Sequence, residues 1–192
     1  MSAEQKRIVR AQVRARLMRV NPEQRAQLSA LATALLLDQP EWRRARVVMG
    51  YLALPDELDI GEALQAGWKT GKTVGLPRYL PERGVYGAAE YRGETLATRA
   101  FGIREPGPDA PELSLNRLDL ALVPGVAFDY SGKRLGRGKG FYDRLLAEAS
   151  GLKCGVALEE QLVEKLPSEA HDIAMDFLLT PSRWIDVRSA AK

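Results

Sequence analysis

Short apolar runs alternate with helix-forming stretches along most of this chain, and this alternation constrains the fold more than any other feature. Val47–Leu52 is a short, partly β-branched run of the kind that forms a buried strand. Asp59, with Glu62 three residues later, resembles a capping box for a helix that closes at Gly71, and Thr73–Pro77 is the next predicted strand. Such alternation predicts an α/β fold, with a mostly parallel sheet and helices on both faces.

The second half of the chain continues the alternation. Between Arg78 and Leu113, frequent Gly, Pro and charged residues predict a hairpin around Tyr86–Arg92 and irregular loops. The remaining predicted elements are a strand over Asp119–Phe128, a glycine-rich loop, a helix ending at Ser150-Gly151, a strand over Cys154–Leu158, a helix over Glu160–Leu166 and a last strand over Met175–Thr180.

No internal repeat or low-complexity linker is found, so residues 1–192 are predicted to form a single domain.

Two predicted helices precede the first strand, and the first of them is strongly basic. It spans Ala3–Val20, after which Asn21 and Pro22 supply a cap and a first-turn proline for a second helix that ends near Asp38. Residues 1–46 hold ten Lys or Arg against four acids, although the whole chain has a net charge of only +3. Spacing places three cations on one helical face beside an apolar stripe. This helix could therefore pack through the stripe while its cations bind an anion, or it could be an ordinary solvated amphipathic helix. The cations are Lys6, Arg10 and Arg14, and the stripe is Val13, Leu17 and Val20.

Composition excludes several classes of function. A single cysteine, Cys154, cannot form an intrachain disulfide, and a single histidine, His171, cannot build a histidine cluster, so a disulfide scaffold and a Cys/His zinc site are disfavoured. Hydrophobic residues make up 45% and charged residues 28%, which is typical of a globular protein rather than a disordered one. No run approaches the roughly 20 apolar residues of a membrane span, and the polar N-terminus favours a cytoplasmic location.

The stretch RLGRGKGFYDR, Arg134–Arg144, combines three glycines with four cations after a predicted strand. Glycines let backbone amides approach a bound group, and a following helix adds the positive end of its dipole, so this pattern favours an anion such as phosphate. The stretch matches neither the P-loop pattern nor the dinucleotide G-x-G-x-x-G pattern, because Gly140 and Phe141 stand where those patterns need other residues. A nucleotide-phosphate cradle, a nucleic-acid contact and a flexible surface turn therefore all remain open at this point.

The segment LALVPGVAFDYSGKRLGRGKGFYDRLLA, Leu120–Ala147, resembles the signature of the 5-formyltetrahydrofolate cyclo-ligase family. Further similar pieces follow in order along nearly the whole chain. These are Lys6 with Arg10, Asp56-Glu57-Leu58-Asp59, Pro77-Arg78-Tyr79, Phe101 to Pro106, and His171-Asp172 before a strand ending at Pro181. The resemblance departs from many members at three positions, Arg137, Lys139 and Phe141, where Tyr, Gly and Tyr are common.

The resemblance implies an enzyme that uses ATP and Mg²⁺ to convert 5-formyltetrahydrofolate to 5,10-methenyltetrahydrofolate by phosphorylating the formyl oxygen. Phosphoryl transfer needs cations and backbone amides more than a protein nucleophile, which suits a chain poor in Cys and His. Lys139 and Arg137 are the expected catalytic cations, Leu52 and Glu57 the expected folate contacts, and Asp143 and Asp172 the expected Mg²⁺ ligands. ATP is expected to contact Lys6, Arg7, Arg10, Arg134, Leu135, Gly136, Arg137, Gly138, Lys139, Gly140, Phe141 and Tyr142.

Other interpretations of the same residues compete with the cyclo-ligase interpretation. A basic protein that binds nucleic acid through its first helix and the glycine stretch is one alternative, and a sugar-phosphate isomerase or CoA transferase with a similar sheet is another. Asp143 could pair with Arg144 as a structural ion pair instead of binding metal. Under the favoured interpretation, the expected partners are 5-formyltetrahydrofolate and ATP. The protein is then expected to be a monomer that binds neither nucleic acid nor a membrane.

Overall fold

The computed structural model describes residues 3–93, 96–98, 104–166 and 172–191. Within these ranges, short 3₁₀ segments lie at Leu115–Arg117, Glu159–Gln161 and Val187–Ala191. The α-helices are α1 Ala3–Leu17, α2 Pro22–Asp38, α3 Pro40–Arg44, α4 Gly61–Lys69 and α5 Phe141–Glu148. The strands are β1 Val47–Met49, β2 Thr73–Leu80, β3 Val85–Glu90, β4 Leu96–Thr98, β5 Arg104–Pro106, β6 Glu112–Leu113, β7 Leu120–Pro124, β8 Ala127–Asp129, β9 Arg134–Leu135, β10 Leu152–Val156, β11 Leu162–Val163, β12 Phe177–Leu179 and β13 Trp184–Asp186.

Eight of these strands form one sheet in the order β13-β12-β10-β7-β1-β2-β3-β6. The five central strands, from β12 to β2, are parallel, and the strands added at both edges are antiparallel. The smaller sheets are β11-β8-β9 and β4-β5. The predicted α/β fold with a mostly parallel sheet is confirmed.

Helices cover both faces of the large sheet, because the strands bury apolar side chains on both sides. On one face α1, α2 and α4 pack into a core that includes Val13, Leu36 and Leu64. On the other face α5 packs through Leu145 and Leu146. The chain therefore leaves β1 toward one face, through α4, and leaves β7 toward the opposite face, through α5.

This change of face creates a crevice at the carboxyl ends of β1 and β7. In chain order the five parallel strands are arranged 2-1-3-4-5, so the first and third strands are neighbours whose connections diverge. Ligands of open α/β sheets bind in the crevice at such a topological switch point. The fold thus selects one edge of the sheet as the place to look for a functional site.

The N-terminal helices agree closely with the predicted ones. Asn21 caps α2 by accepting a hydrogen bond from the Gln24 amide at 2.8 Å, and the Gln24 side chain accepts one from the Asn21 amide at 3.0 Å. Val13 and Leu17 of the predicted apolar stripe are buried. The two N-terminal helices are confirmed, and within the described ranges no helix is long and apolar enough to cross a membrane.

Some predicted elements were wrong in type or extent. The strand predicted over Asp119–Phe128 is divided into β7 and β8 by Gly125 and Val126. Glu160–Leu166 is not a helix, because its backbone forms a 3₁₀ turn and then β11, which pairs with β8. Ile60, not Asp59, is the N-cap of α4, although the Asp59 carboxylate accepts a hydrogen bond from the Gly61 amide at 2.8 Å.

Candidate active site

A cavity of about 520 Å³ lies at the switch point of the sheet. Tyr51–Leu54, which follow β1, and Pro124 and Gly125, at the end of β7, form its floor. Among the described residues, six Lys or Arg and three acidic side chains line it, so its charge favours an anionic ligand. The lining includes every residue from Arg134 to Asp143, together with Lys6, Arg10, Leu52, Glu57 and Asp172.

The glycine loop, defined here as Arg134–Gly140, forms one wall of the cavity. Gly138 and Gly140 have φ angles of 102° and 63°, in the left-handed region that favours glycine. Gly140 immediately precedes α5, which has no side-chain cap at its N-terminus. Amides of the first turn of α5 are therefore left for a ligand or solvent beside a basic wall, as phosphate binding requires.

Helix α1 reaches the same wall from the other end of the chain. The Arg10 Nε donates a hydrogen bond to the Gly136 carbonyl at 2.9 Å, and Lys6 lines the cavity one turn earlier. Arg7 lies outside the lining, and its exposed guanidinium binds Glu4 at 2.7 Å. Two basic segments that are 126 residues apart thus converge as predicted, but the structure does not bring Arg7 to the cavity.

Arg134 and Asp143 form an ion pair within the wall. The Arg134 Nη2 lies 2.6 Å from the Asp143 Oδ1, and the two side chains are 4% and 28% exposed. Arg144, the alternative partner considered for Asp143, instead donates to the Lys139 carbonyl at 3.4 Å. Arg134 therefore orients Asp143, and the Arg134 Nε is buried without a hydrogen-bond partner in the described part of the chain.

Glu57 is a buried carboxylate on the wall opposite the glycine loop. Its side chain is 8% exposed, and its Oε2 accepts a hydrogen bond from the Leu54 amide at 3.1 Å. The Arg137 Nη2 donates to the Glu57 Oε1 at 3.0 Å and to the Asp56 Oδ1 at 2.6 Å. Burial raises the pKa of Glu57 above its ordinary value, and the Leu54 amide and Arg137 partly oppose this rise.

Apolar and aromatic side chains complete the cavity. Tyr86 lies against Phe141 with 4.5 Å between ring centroids, and Leu52 and Tyr51 add surface after β1. The Tyr51 hydroxyl donates to the Leu58 carbonyl at 2.7 Å, which fixes that ring. The sequence predicted Leu52 and Phe141 as site residues but not Tyr51 or Tyr86, and it gave no role to Arg104, although Arg104 lies in the Phe101–Pro106 piece of the resemblance. Tyr51 could have been found, because it lies beside Leu52 at the carboxyl end of the predicted strand Val47–Leu52.

Asp143 and Asp172 both line the cavity, although 29 residues separate them in the sequence. Mg²⁺ takes oxygen ligands, keeps several waters and commonly binds one or two carboxylates plus substrate phosphates. Within the described ranges no group of three or more His, Cys, Asp or Glu side chains could hold a metal ion by itself. Two cavity carboxylates would suit a magnesium ion that also binds the oxygens of a phosphate chain.

Cys154→Ala is expected to leave turnover within about two-fold of wild type. Cys154 is fully buried in the core, outside the cavity lining, and burial raises the pKa of its thiol, so it is not an activated nucleophile. Steady-state kinetics of the folded variant measure this, and a covalent adduct trapped on Cys154 during turnover would contradict it.

His171 and Phe101–Ile103, which also belong to the resemblance, lie outside the described residues.

Comparison with known proteins agrees with this geometry. The sequence profile of the 5-formyltetrahydrofolate cyclo-ligase family matches residues 2–181. A 5-formyltetrahydrofolate cyclo-ligase of Escherichia coli is 36% identical over 177 residues, which cover 89% of this chain and 97% of the relative. One from Mycolicibacterium smegmatis is 46% identical over 140 residues, which cover 71% of this chain and 69% of the relative.

A solved structure shares the fold along nearly its whole length. The NMR structure of Aquifex aeolicus 5,10-methenyltetrahydrofolate synthetase has a TM-score of 0.85 and 34% sequence identity to this chain. The alignment covers 95% of this chain and 93% of that one. With the family profile spanning residues 2–181, these likenesses show that the chain belongs to the 5-formyltetrahydrofolate cyclo-ligase family.

Proposed function

We propose that this protein catalyses the ATP-dependent cyclisation of 5-formyltetrahydrofolate to 5,10-methenyltetrahydrofolate, with release of ADP and phosphate. The observation that carries the proposal is the convergence, in one cavity, of a basic glycine loop and α1 with a buried carboxylate and an apolar wall. The basic glycine loop and α1 suit a triphosphate. The buried carboxylate and the apolar wall suit a flat heterocycle with N–H donors. Family membership supports the pairing of these two ligands.

The reaction divides into two steps that need no protein nucleophile. In the first, the formyl oxygen attacks the γ-phosphorus of ATP and ADP leaves, so the oxygen becomes a phosphate ester on a more electrophilic carbon. In the second, N10 of the folate attacks that carbon and gives up its proton, and phosphate departs with the former formyl oxygen. Catalysis then depends on bringing the two substrates together and on neutralising charge at the transferred group.

The glycine loop and α1 are proposed to hold the triphosphate. Gly138 and Gly140 keep the backbone clear of side chains, and the uncapped start of α5 supplies amides. Lys139 and Arg137 line the same cavity, and Arg137 contacts Glu57 on the proposed folate wall, so these two cations are proposed to meet the transferred phosphoryl group. Their charges suit the oxygens of that group, whose negative charge must be balanced in the transition state.

Glu57 is proposed to recognise the amino-pyrimidinone edge of the folate. A carboxylate offers about four lone-pair sites, and the Leu54 amide and Arg137 use one each, so two remain for N–H donors of the pterin. Leu52 and Phe141 would contact the apolar faces of the ligand. Phe141 carries no hydroxyl, so its contribution here is a ring contact without a hydrogen bond.

Asp143 and Asp172 are proposed to hold Mg²⁺, which when bound would neutralise charge on the phosphate oxygens. Asp143→Asn and Asp172→Asn are each expected to raise the Mg²⁺ concentration for half-maximal rate by about ten-fold, the scale of one lost charge-assisted contact. Asp143→Asn should also lower the melting temperature, because it leaves the buried Arg134 without an anionic partner. Titrating Mg²⁺ at fixed ATP measures the effect.

Asp109→Asn is the matched control, since Asp109 is exposed and outside the cavity lining. It should leave both the Mg²⁺ dependence and the melting temperature unchanged. An unchanged Mg²⁺ dependence in both cavity variants would rule out the metal site, and a change in one alone would identify the single ligand.

The function is tested by mixing the purified protein with 5-formyltetrahydrofolate and MgATP. Ultraviolet absorption of the methenyl product and ADP release are followed together, and each component is omitted in turn. The proposal expects one ADP for each product and no product when any component is missing. A folded protein that forms no product, or that binds oligonucleotides with steep salt dependence and does no chemistry, would refute it.

A further inference from the structure

Two loops that are about 80 residues apart in sequence are joined across the cavity by one guanidinium. Arg137, in the glycine loop, donates from the same nitrogen, Nη2, to Asp56 at 2.6 Å and to Glu57 at 3.0 Å. Asp56 and Glu57 lie in the connection between β1 and α4. Arg137 therefore lies at the junction of the proposed phosphate and folate regions, not only in the phosphate cradle.

The contact uses only part of the hydrogen-bonding capacity of Arg137. Arginine has five N–H donors in a rigid planar fork, and the two on Nη2 point at the two acids. None of the other three has a hydrogen-bond partner within the described ranges, and the side chain is 38% exposed. The guanidinium can thus bind Glu57 with one nitrogen and a phosphoryl oxygen with the others.

The two acids differ in what they can contribute. Glu57 is 8% exposed and faces the cavity, so its remaining lone pairs are needed for substrate. Asp56 is 39% exposed, lies outside the cavity lining and makes the shorter contact to Arg137. An anchor outside the ligand space can hold the guanidinium without competing for the ligand.

We propose that Asp56 is a positioning residue, which holds Arg137 across the cavity so that one guanidinium contacts both the folate-binding carboxylate and the transferred phosphoryl group. This inference rests on the proposed function. It gives the enzyme a physical link between its two substrate regions, because Arg137 is oriented for phosphoryl transfer by the same loop that carries Glu57.

The test is a double-mutant cycle with Asp56→Ala, Arg137→Gln and the double variant, in the coupled product and ADP assay. Asp56→Ala is expected to lower kcat by about two- to five-fold, within the range of partly exposed ion pairs, while the KM for 5-formyltetrahydrofolate changes less than two-fold. In the Arg137→Gln background, adding Asp56→Ala should change kcat by less than two-fold, because the residue that it positions is gone. Asp56→Glu, which keeps the charge at an exposed position, should recover most of the lost kcat.

Glu112→Gln provides the matched control. It breaks an exposed ion pair with Arg83, at 3.0 Å, outside the cavity lining, and should leave both kcat and KM unchanged. A purely structural role for Asp56 would displace Glu57, raise the folate KM and persist in the Arg137→Gln background, which would overturn the proposal. Wild-type kcat in Asp56→Ala would also overturn it while leaving the enzyme activity intact, whereas an inactive wild-type protein would refute the proposed function and this inference together.

Discussion

Lys139→Ala is expected to lower kcat by at least ten-fold, with a smaller change in the KM for 5-formyltetrahydrofolate. Lys139 lines the cavity in the glycine loop, and its Nζ lies 5.9 Å from the centroid of the Phe141 ring, at the boundary between the proposed phosphate and folate regions. Loss of a charge-assisted contact to the transferred phosphoryl group costs about 1.5–3 kcal/mol, which corresponds to roughly 10- to 150-fold in rate. Steady-state kinetics with each substrate varied in turn measure the split between kcat and KM.

The control for this variant is Lys165→Ala, which removes an equal charge from an exposed position outside the cavity lining. It should keep wild-type kinetics. If Lys139→Ala behaved like Lys165→Ala, the glycine loop would have a structural role only, and the proposed transfer site would have to be moved elsewhere.

Glu57→Gln is expected to lower kcat/KM for 5-formyltetrahydrofolate by at least ten-fold, while the KM for ATP stays within about two-fold of wild type. Glutamine has nearly the same shape, but it lacks the negative charge and presents one N–H₂ donor where the carboxylate accepts. The substituted amide would also face Arg137, which would lose the Glu57 carboxylate at 3.0 Å and keep only Asp56 as an anionic partner. A lost hydrogen bond to a charged acceptor, with donors left unpaired in a buried site, accounts for this magnitude.

Equilibrium binding of 5-formyltetrahydrofolate without ATP separates recognition from catalysis. Glu57→Gln should weaken this binding, and Glu62→Gln, an exposed carboxylate change in the first turn of α4, should not. Unchanged folate affinity in Glu57→Gln would remove Glu57 from the folate site and leave it as a structural partner of Leu54 and Arg137.

The sequence predicted the architecture well where periodicity is strong. The parallel strands around β1 and the capped start of α2 at Asn21 follow from local patterns, and both are observed. The helix predicted over Glu160–Leu166 was wrong, because tertiary contacts decide the backbone conformation of this segment. The Gln161 side chain donates to the Gly125 carbonyl at 2.7 Å, and its Oε1 accepts from the Leu158 amide, so the segment turns and then pairs with β8. β13 was missed because Trp184–Asp186 is too short to show a period.

Most of the residues that the sequence predicts for the site line the cavity, but their contacts could not be predicted. Leu52, Glu57, Asp172 and the glycine loop line one cavity, as the resemblance implies. Sequence spacing cannot reveal that Arg134 pairs with Asp143 or that Arg137 reaches Asp56, since such pairs depend on how separate loops meet in space. Tyr86 reaches the cavity only through the β2-β3 hairpin. The monomeric state, the cytoplasmic location and the expected lack of nucleic-acid binding stay predictions.

Transfer of the formyl oxygen to phosphate is the most direct test of the proposed chemistry. 5-Formyltetrahydrofolate labelled with ¹⁸O in the formyl group is converted with unlabelled MgATP in ordinary water, and the released phosphate is analysed by mass spectrometry. Phosphorylation of the formyl oxygen predicts one ¹⁸O atom in each phosphate formed with the methenyl product. Unlabelled phosphate at the same product yield would show that ATP is hydrolysed by water, and would contradict the account.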